Sequence, residues 1–203
     1  MFDFDAGLPA EIVPLSWLLG VWEGTGVLSY RVGDEVRDAE FGQRVAFTHD
    51  GTPHVQYVSS SWLIVASDDA PAAPPLYSEI GYWRLSRVLG DADQGPGMLP
   101  PTAEPVFTTA EAVETLRNER GGFDIEVAIV QPGGVSEIYL GEVHGPRIDL
   151  ATDAVVRTAT AKEYAAATRI YGLVEEHLLW AWDIAALGQD LRTHSSGRLA
   201  RVE

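Results

Sequence analysis

Alternation constrains this chain more than any other feature. Phe123-Asp124-Ile125-Glu126-Val127-Ala128-Ile129 places an apolar residue at every second position. Period two sends successive side chains to opposite faces of an extended backbone, so the segment reads as a strand with one face in a core. Comparable stretches run from Thr25 to Arg31, Phe41 to Thr48, Val55 to Ala66, Leu76 to Leu85, Val135 to Val143, Arg147 to Thr152, Ala161 to Tyr171 and His177 to Ala186. Turn signals such as Asp50-Gly51 and Gln131-Pro132-Gly133-Gly134 separate them. About ten short strands spaced by turns indicate an all-β sandwich or barrel. Brief connections between successive strands favour an antiparallel up-and-down β-barrel, whose closure leaves no free edge.

Three segments interrupt the meander. Ile12, Leu15, Leu18 and Leu19 form one apolar face of a short helix between Ala10 and Leu19, with Pro14 near its first turn. Ser67 to Pro75 is a polar, proline-rich loop. Val88 to Gly122 reads as one long insertion between two strands, in which Thr108-Thr109-Ala110-Glu111 opens a short helix. No internal repeat appears, and 203 residues suit one domain, 1–203, able to enclose a ligand cavity.

The formal charge of −16 opposes binding to nucleic acid or to anionic membrane surfaces. There is no cysteine, which excludes disulfides, thiolate catalysis and thiolate-held metals. Met1-Phe2-Asp3-Phe4-Asp5 lacks the basic start of a signal peptide, and no apolar run reaches membrane-spanning length. A cytoplasmic location is the expectation.

Gly20-Val21-Trp22-Glu23-Gly24-Thr25-Gly26 stands out as a G-x-W-x-G-x-G motif. A dinucleotide fingerprint follows a strand and opens a helix; here the order is reversed. The motif instead predicts a tightly bent backbone that another group approaches closely, beside a large apolar wall. His49, His54, His144, His177 and His194 show no zinc spacing, and no hydrolase or phosphate-loop motif is present. Glu23, Glu79, Glu126, Glu137 and Glu163 lie in or beside strands, where surface alternation accounts for most of them. Trp180 and Trp182 share one strand face, as core filling or as a wall for a flat apolar ligand.

Five short motifs in fixed order resemble the nitrobindin family. They are the glycine–tryptophan motif, Tyr77-Ser78-Glu79-Ile80-Gly81-Tyr82-Trp83-Arg84, Gly134-Val135-Ser136-Glu137-Ile138-Tyr139-Leu140-Gly141, Thr160-Ala161-Lys162-Glu163, and Gly188-Gln189-Asp190-Leu191-Arg192-Thr193-His194. The resemblance implies a ten-stranded fatty-acid-binding-protein-like or lipocalin-like barrel holding haem b. It further implies peroxynitrite isomerisation, nitric oxide binding, or both, at a histidine-ligated iron. His194 matches the proximal ligand, which makes it the metal-binding and catalytic candidate, with Gly20, Trp22, Gly24 and Gly26 shaping the cofactor's surroundings. Neutral imidazole is a good iron ligand and would leave the opposite axial position open. The chain departs from the family where Leu28-Ser29-Tyr30 replaces a Tyr-Pro-Thr run, where Tyr77 replaces a frequent histidine, and where Ser195-Ser196-Gly197 follows His194. These departures motivate the alternative of a carrier for another small apolar ligand.

Overall fold

A computed structural model describes residues 7–32, 35–65 and 73–203. Among these residues, ten antiparallel strands close into one barrel in the order β1-β10-β9-β8-β7-β6-β5-β4-β3-β2. The strands are β1 (Gly20–Val32), β2 (Glu35–Thr48), β3 (Val55–Leu63), β4 (Pro75–Leu85), β5 (Phe123–Gln131), β6 (Val135–His144), β7 (Arg147–Arg157), β8 (Tyr164–Val174), β9 (His177–Ala186) and β10 (Arg192–Arg201). Each strand pairs with its sequence neighbour, and β1 meets β10 to complete the ring. This is the up-and-down barrel expected from alternation. The alternation is visible in burial: β5 runs Phe123, Ile125, Val127 and Ile129 inward, each nearly sealed from solvent.

The two ends of the barrel differ. Up-and-down connectivity places the start of β1, the β4–β5 connection and the end of β10 at one end. A 3₁₀ helix, Ala10–Leu18, plugs that end. Its buried residues Ile12, Leu15 and Leu18 recur every third position, which suits three residues per turn better than an α-helix. Each of these side chains contributes roughly 1.5–3 kcal/mol by leaving water. The indole N–H of Trp22 donates to the Leu18 carbonyl at 2.6 Å, tying the plug to β1. The insertion between β4 and β5 packs over the same end. Its short helix α1 (Ala110–Glu114) starts within the expected Thr108–Glu111 segment, is capped by Thr109, and buries Val113 against the plug side of the core. Arg87 clamps the insertion to the plug by pairing with Glu11 at 2.6 Å and Asp93 at 2.6 Å.

Several expectations need correction. The strand-like stretches found in the sequence end at Ala186, yet Arg192–Arg201 forms β10 and closes the barrel. The glycine motif is no turn before a strand: it lies inside β1, and only Gly20 takes positive φ, at 124°. The strand β2 begins six residues before Phe41, at Glu35. The proline-rich loop and the acidic N-terminus lie outside the described residues, apart from Ala73, Pro74 and Pro75. No helix among the described residues is long and apolar enough to cross a membrane.

Candidate functional site

The end opposite the plug is hollow. A cavity of about 400 Å³ lies there, with Phe41, Tyr77, Trp180, Trp182 and His194 among its lining residues. That size falls within the range of small-molecule and cofactor sites, and the lining is mainly apolar, as such sites require.

Glycines make the room. Gly26 pairs with Phe41 across β1 and β2, and Gly197 pairs with Trp180 across β10 and β9. A Cβ on Gly26 would run into the Phe41 ring, and one on Gly197 would sit 2.6 Å from the Trp180 indole nitrogen. With no Cβ there, both rings lie flat over their neighbours and form the wall, their centroids 6.0 Å apart. Phe41 and Trp180 therefore thin the wall instead of filling the interior.

A β-bulge presents His194. The β10–β9 register pairs Thr193 with Asp183 and Ser195 with Trp182, leaving His194 as the extra residue. In a regular strand Thr193 and Ser195 would share one face and His194 would take the other. The bulge breaks that rule: Thr193 is exposed, while His194 and Ser195 both line the cavity. Bulges re-aim side chains in this way. The His194 Nδ1 lies 3.2 Å from the Ser29 carbonyl of β1. A carbonyl can only accept, so Nδ1 carries the proton and Nε2 keeps its lone pair. Burial pushes the His194 pKa below its usual value, outweighing the Ser29 hydrogen bond. The ring is thus neutral at neutral pH, in the form that ligates a metal. Trp182 meets it edge-on, with centroids 5.8 Å apart at 82°.

Below the cavity lies a buried polar layer. Arg169, 3% exposed, grips Glu79 with two hydrogen bonds of 2.6 and 2.8 Å. Its Nε donates to the Tyr139 hydroxyl at 3.0 Å. Glu137 lies 3.6 Å from the same guanidinium and accepts from Gln131 at 2.6 Å and Tyr164 at 2.7 Å. Tyr57 donates to Glu79 at 2.6 Å. Burial and the neighbouring carboxylates push the Tyr139 and Tyr164 pKa values above the usual phenol range, so both remain donors. Burial opposes the Arg169 charge, but the Glu79 carboxylate outweighs it and holds its pKa well above the usual value. Such a cluster is tolerated in a core because its charges are paired and hydrogen-bonded.

Residues 11–201 match the family described as "THAP4-like, heme-binding beta-barrel domain". The chain belongs to this family. It is 64% identical, over the whole of both chains, to a "Peroxynitrite isomerase" of Clavibacter michiganensis subsp. michiganensis. A protein of the same name from Kocuria rhizophila is 53% identical, with 99% of this chain and 95% of that one covered. Among solved structures, "Crystal Structure of Rv2717c from M. tuberculosis" matches with a TM-score of 0.66 and 27% identity, covering 97% of this chain and 99% of that one.

Haem is the cofactor of this family, and the residues present suit it. His194 supplies one neutral nitrogen whose other ring nitrogen is already engaged, the arrangement that fixes a ligating imidazole. The flat walls at Gly26–Phe41 and Gly197–Trp180 are apolar surfaces that any Cβ at either glycine would disrupt. Among the described residues, no three His, Asp or Glu side chains gather as a protein-only metal cage would need. A lone imidazole suits an iron already held in a macrocycle.

The motif residues are placed differently from His194. Gly20, Trp22, Gly24 and Gly26 are not among the residues lining the cavity. Trp22 belongs to the plugged half, and the Arg201 guanidinium stacks 4.5 Å from its ring. A Cβ on Gly24 would collide with the Arg198 carbonyl, so Gly24 serves the β1–β10 seam. Sequence reasoning missed Arg169 entirely and did not separate Glu79 and Glu137 from the carboxylates that surface alternation explains, whereas both are buried. A signal was present: Glu79 shares its strand face with Trp83, and Arg169 shares its face with Tyr171.

Proposed function

We propose that this chain is a haem b protein that isomerises peroxynitrite to nitrate, with His194 as the proximal iron ligand. The observation that carries the reading is the Nδ1–Ser29 hydrogen bond at the bulge, which leaves the Nε2 lone pair of a neutral ring in the cavity. Relatives covering the whole chain at 64% identity bear the name of this activity, which supports the same reading. Haem, held through His194, would supply an iron centre able to bind a small ligand, peroxynitrite or nitric oxide. The protein's part is to bind, orient and exclude water. Phe41, Trp180 and Trp182 offer apolar wall, and the Ser29 carbonyl holds the imidazole in one tautomer. Gly26 makes room for the Phe41 wall, while Gly20, Trp22 and Gly24 act at a distance, in the plugged half and along the β1–β10 seam. The absence of cysteine and the strong negative charge accord with a cytoplasmic protein that does not bind nucleic acid.

The test is direct. Purified protein titrated with haemin should develop a Soret band, and peroxynitrite mixed with the loaded protein should decay to nitrate faster than in buffer. His194→Ala should lose the wild-type Soret position and the acceleration together. An unchanged spectrum in that variant would remove His194 from the iron. No haem uptake by the wild-type chain would favour the carrier of another apolar ligand.

A further inference from the structure

The geometry points to Arg169 as a positioning residue for His194, acting through Trp182. This rests on the reading of His194 as iron ligand and goes beyond it. Trp182 is 9% exposed, and its indole nitrogen is buried without a hydrogen-bond partner. Its orientation is therefore set by its neighbours' faces, not by a hydrogen bond. On one side the Arg169 guanidinium lies over the ring, 4.2 Å from its centroid. Tyr77 packs against it from β4, with centroids 5.7 Å apart. His194 meets it edge-on at 5.8 Å. Trp182 is also the register partner of Ser195, directly beside the bulge.

Arg169 is well suited to anchor such a ring. Its own place is over-determined by the paired bonds to Glu79 and by Tyr139. A planar guanidinium stacks on an aromatic face in a way lysine does not reproduce. The ladder therefore runs from β4 (Glu79) through β8 (Arg169) and β9 (Trp182) to β10 (His194), across strands that the barrel places side by side or face to face. Ser29 fixes one end of the imidazole, through its Nδ1. Trp182 fixes the rotation of the ring about that hydrogen bond. Together they set the ring plane that an iron would meet, which is how groups outside the ligand set tune a metal site.

The experiment compares Arg169→Gln, Trp182→Leu and the double variant in the full chain. Resonance Raman spectra of the ferrous haem-loaded proteins report the iron–histidine stretch, and apohaemoglobin-type capture of released haem reports its dissociation rate. Each single variant should shift the stretch and speed haem loss about tenfold. The double variant should also lose haem about tenfold faster, not a hundredfold, because both changes break one ladder. In the haem-free chain, the His194 ring-proton resonances should move in both singles, a readout that needs no cofactor. If Arg169→Gln fails to fold, Trp182→Leu and Glu79→Gln replace it in the same cycle. An unmoved stretch with unmoved His194 resonances would overturn the inference, as would multiplicative effects in the double variant. Failure of the underlying reading looks different: His194→Ala would then keep the wild-type Soret band while the ladder variants still fold.

Discussion

The plugged half and the hollow half of this barrel are built from the same ten strands and solve opposite problems. In the plugged half, large rings interlock. Trp83, fully buried, meets Phe47 edge-on at 5.6 Å and Tyr171 edge-on at 5.2 Å, and a 3₁₀ helix seals what the rings leave open. In the hollow half, aromatic rings lie along the wall over glycines and the centre stays open. The polar layer around Arg169 divides the two. The lesson is that close packing is concentrated in one half, which leaves the other free to keep an unfilled space. A cavity costs dispersion contacts, and a chain can carry that cost only where packing elsewhere exceeds it.

That contrast can be broken by substitution. Trp83→Ala in the plugged half should have the largest effect, a loss of about 3–5 kcal/mol in urea unfolding. A loss of under about 1 kcal/mol would show that the plugged half is not the stable one. At the boundary, Glu79→Gln strips Arg169 of its bidentate partner and should cost about 3 kcal/mol, since Glu137 remains 3.6 Å from the guanidinium. In the hollow half, Gly26→Val should cost about 2 kcal/mol through collision with Phe41 and the Ser196 carbonyl, and should cut haem uptake more than its stability loss explains. Comparable uptake by Gly26→Val and wild type would mean the flat wall is not needed.

His194→Ala should lower stability by about 1 kcal/mol or less, the worth of one half-buried hydrogen bond, while abolishing axial ligation. The smallest effect concerns pH. Burial depresses the His194 pKa in the folded chain. As pH falls below about 6.5, the unfolded chain takes up the proton first, so stability from this group is present above that pH and lost below it. Haem retention should weaken over the same range, because protonated imidazole has no lone pair for iron. A haem-release profile flat down to pH 5, or one that persists in His194→Ala, would assign the acid sensitivity elsewhere.

Much of the fold could be read from spacing. Period two in β5 follows from strand geometry alone, and the alternate residues it marks are the buried ones. The start of α1 within Thr108–Glu111 is equally local, although Thr109 is the residue that caps it. The site was harder to read. His194 was singled out by resemblance, but its strand was not seen, because Arg192-Thr193-His194-Ser195-Ser196-Gly197-Arg198 has few apolar residues to mark a face. The part of β10 that faces the cavity is His194 and Ser195, both polar, so no apolar period marks it. Glu79 and Arg169 lie 90 residues apart, and no local pattern announces that they pair.

The sequence by itself determined the all-β class, the sequential antiparallel order, the insertion between β4 and β5 and the lone histidine worth testing. These depend on periodicity, turn chemistry and motif order, which are properties of neighbours along the chain. Only the tertiary structure decided that β1 and β10 close the ring, that a bulge turns His194 inward, and that Ser29 holds its proton in place. It also decided that Arg169 and Glu79 meet beneath Trp182. Those outcomes depend on register between strands far apart in sequence, and a slip of one residue reverses which side chains face the cavity.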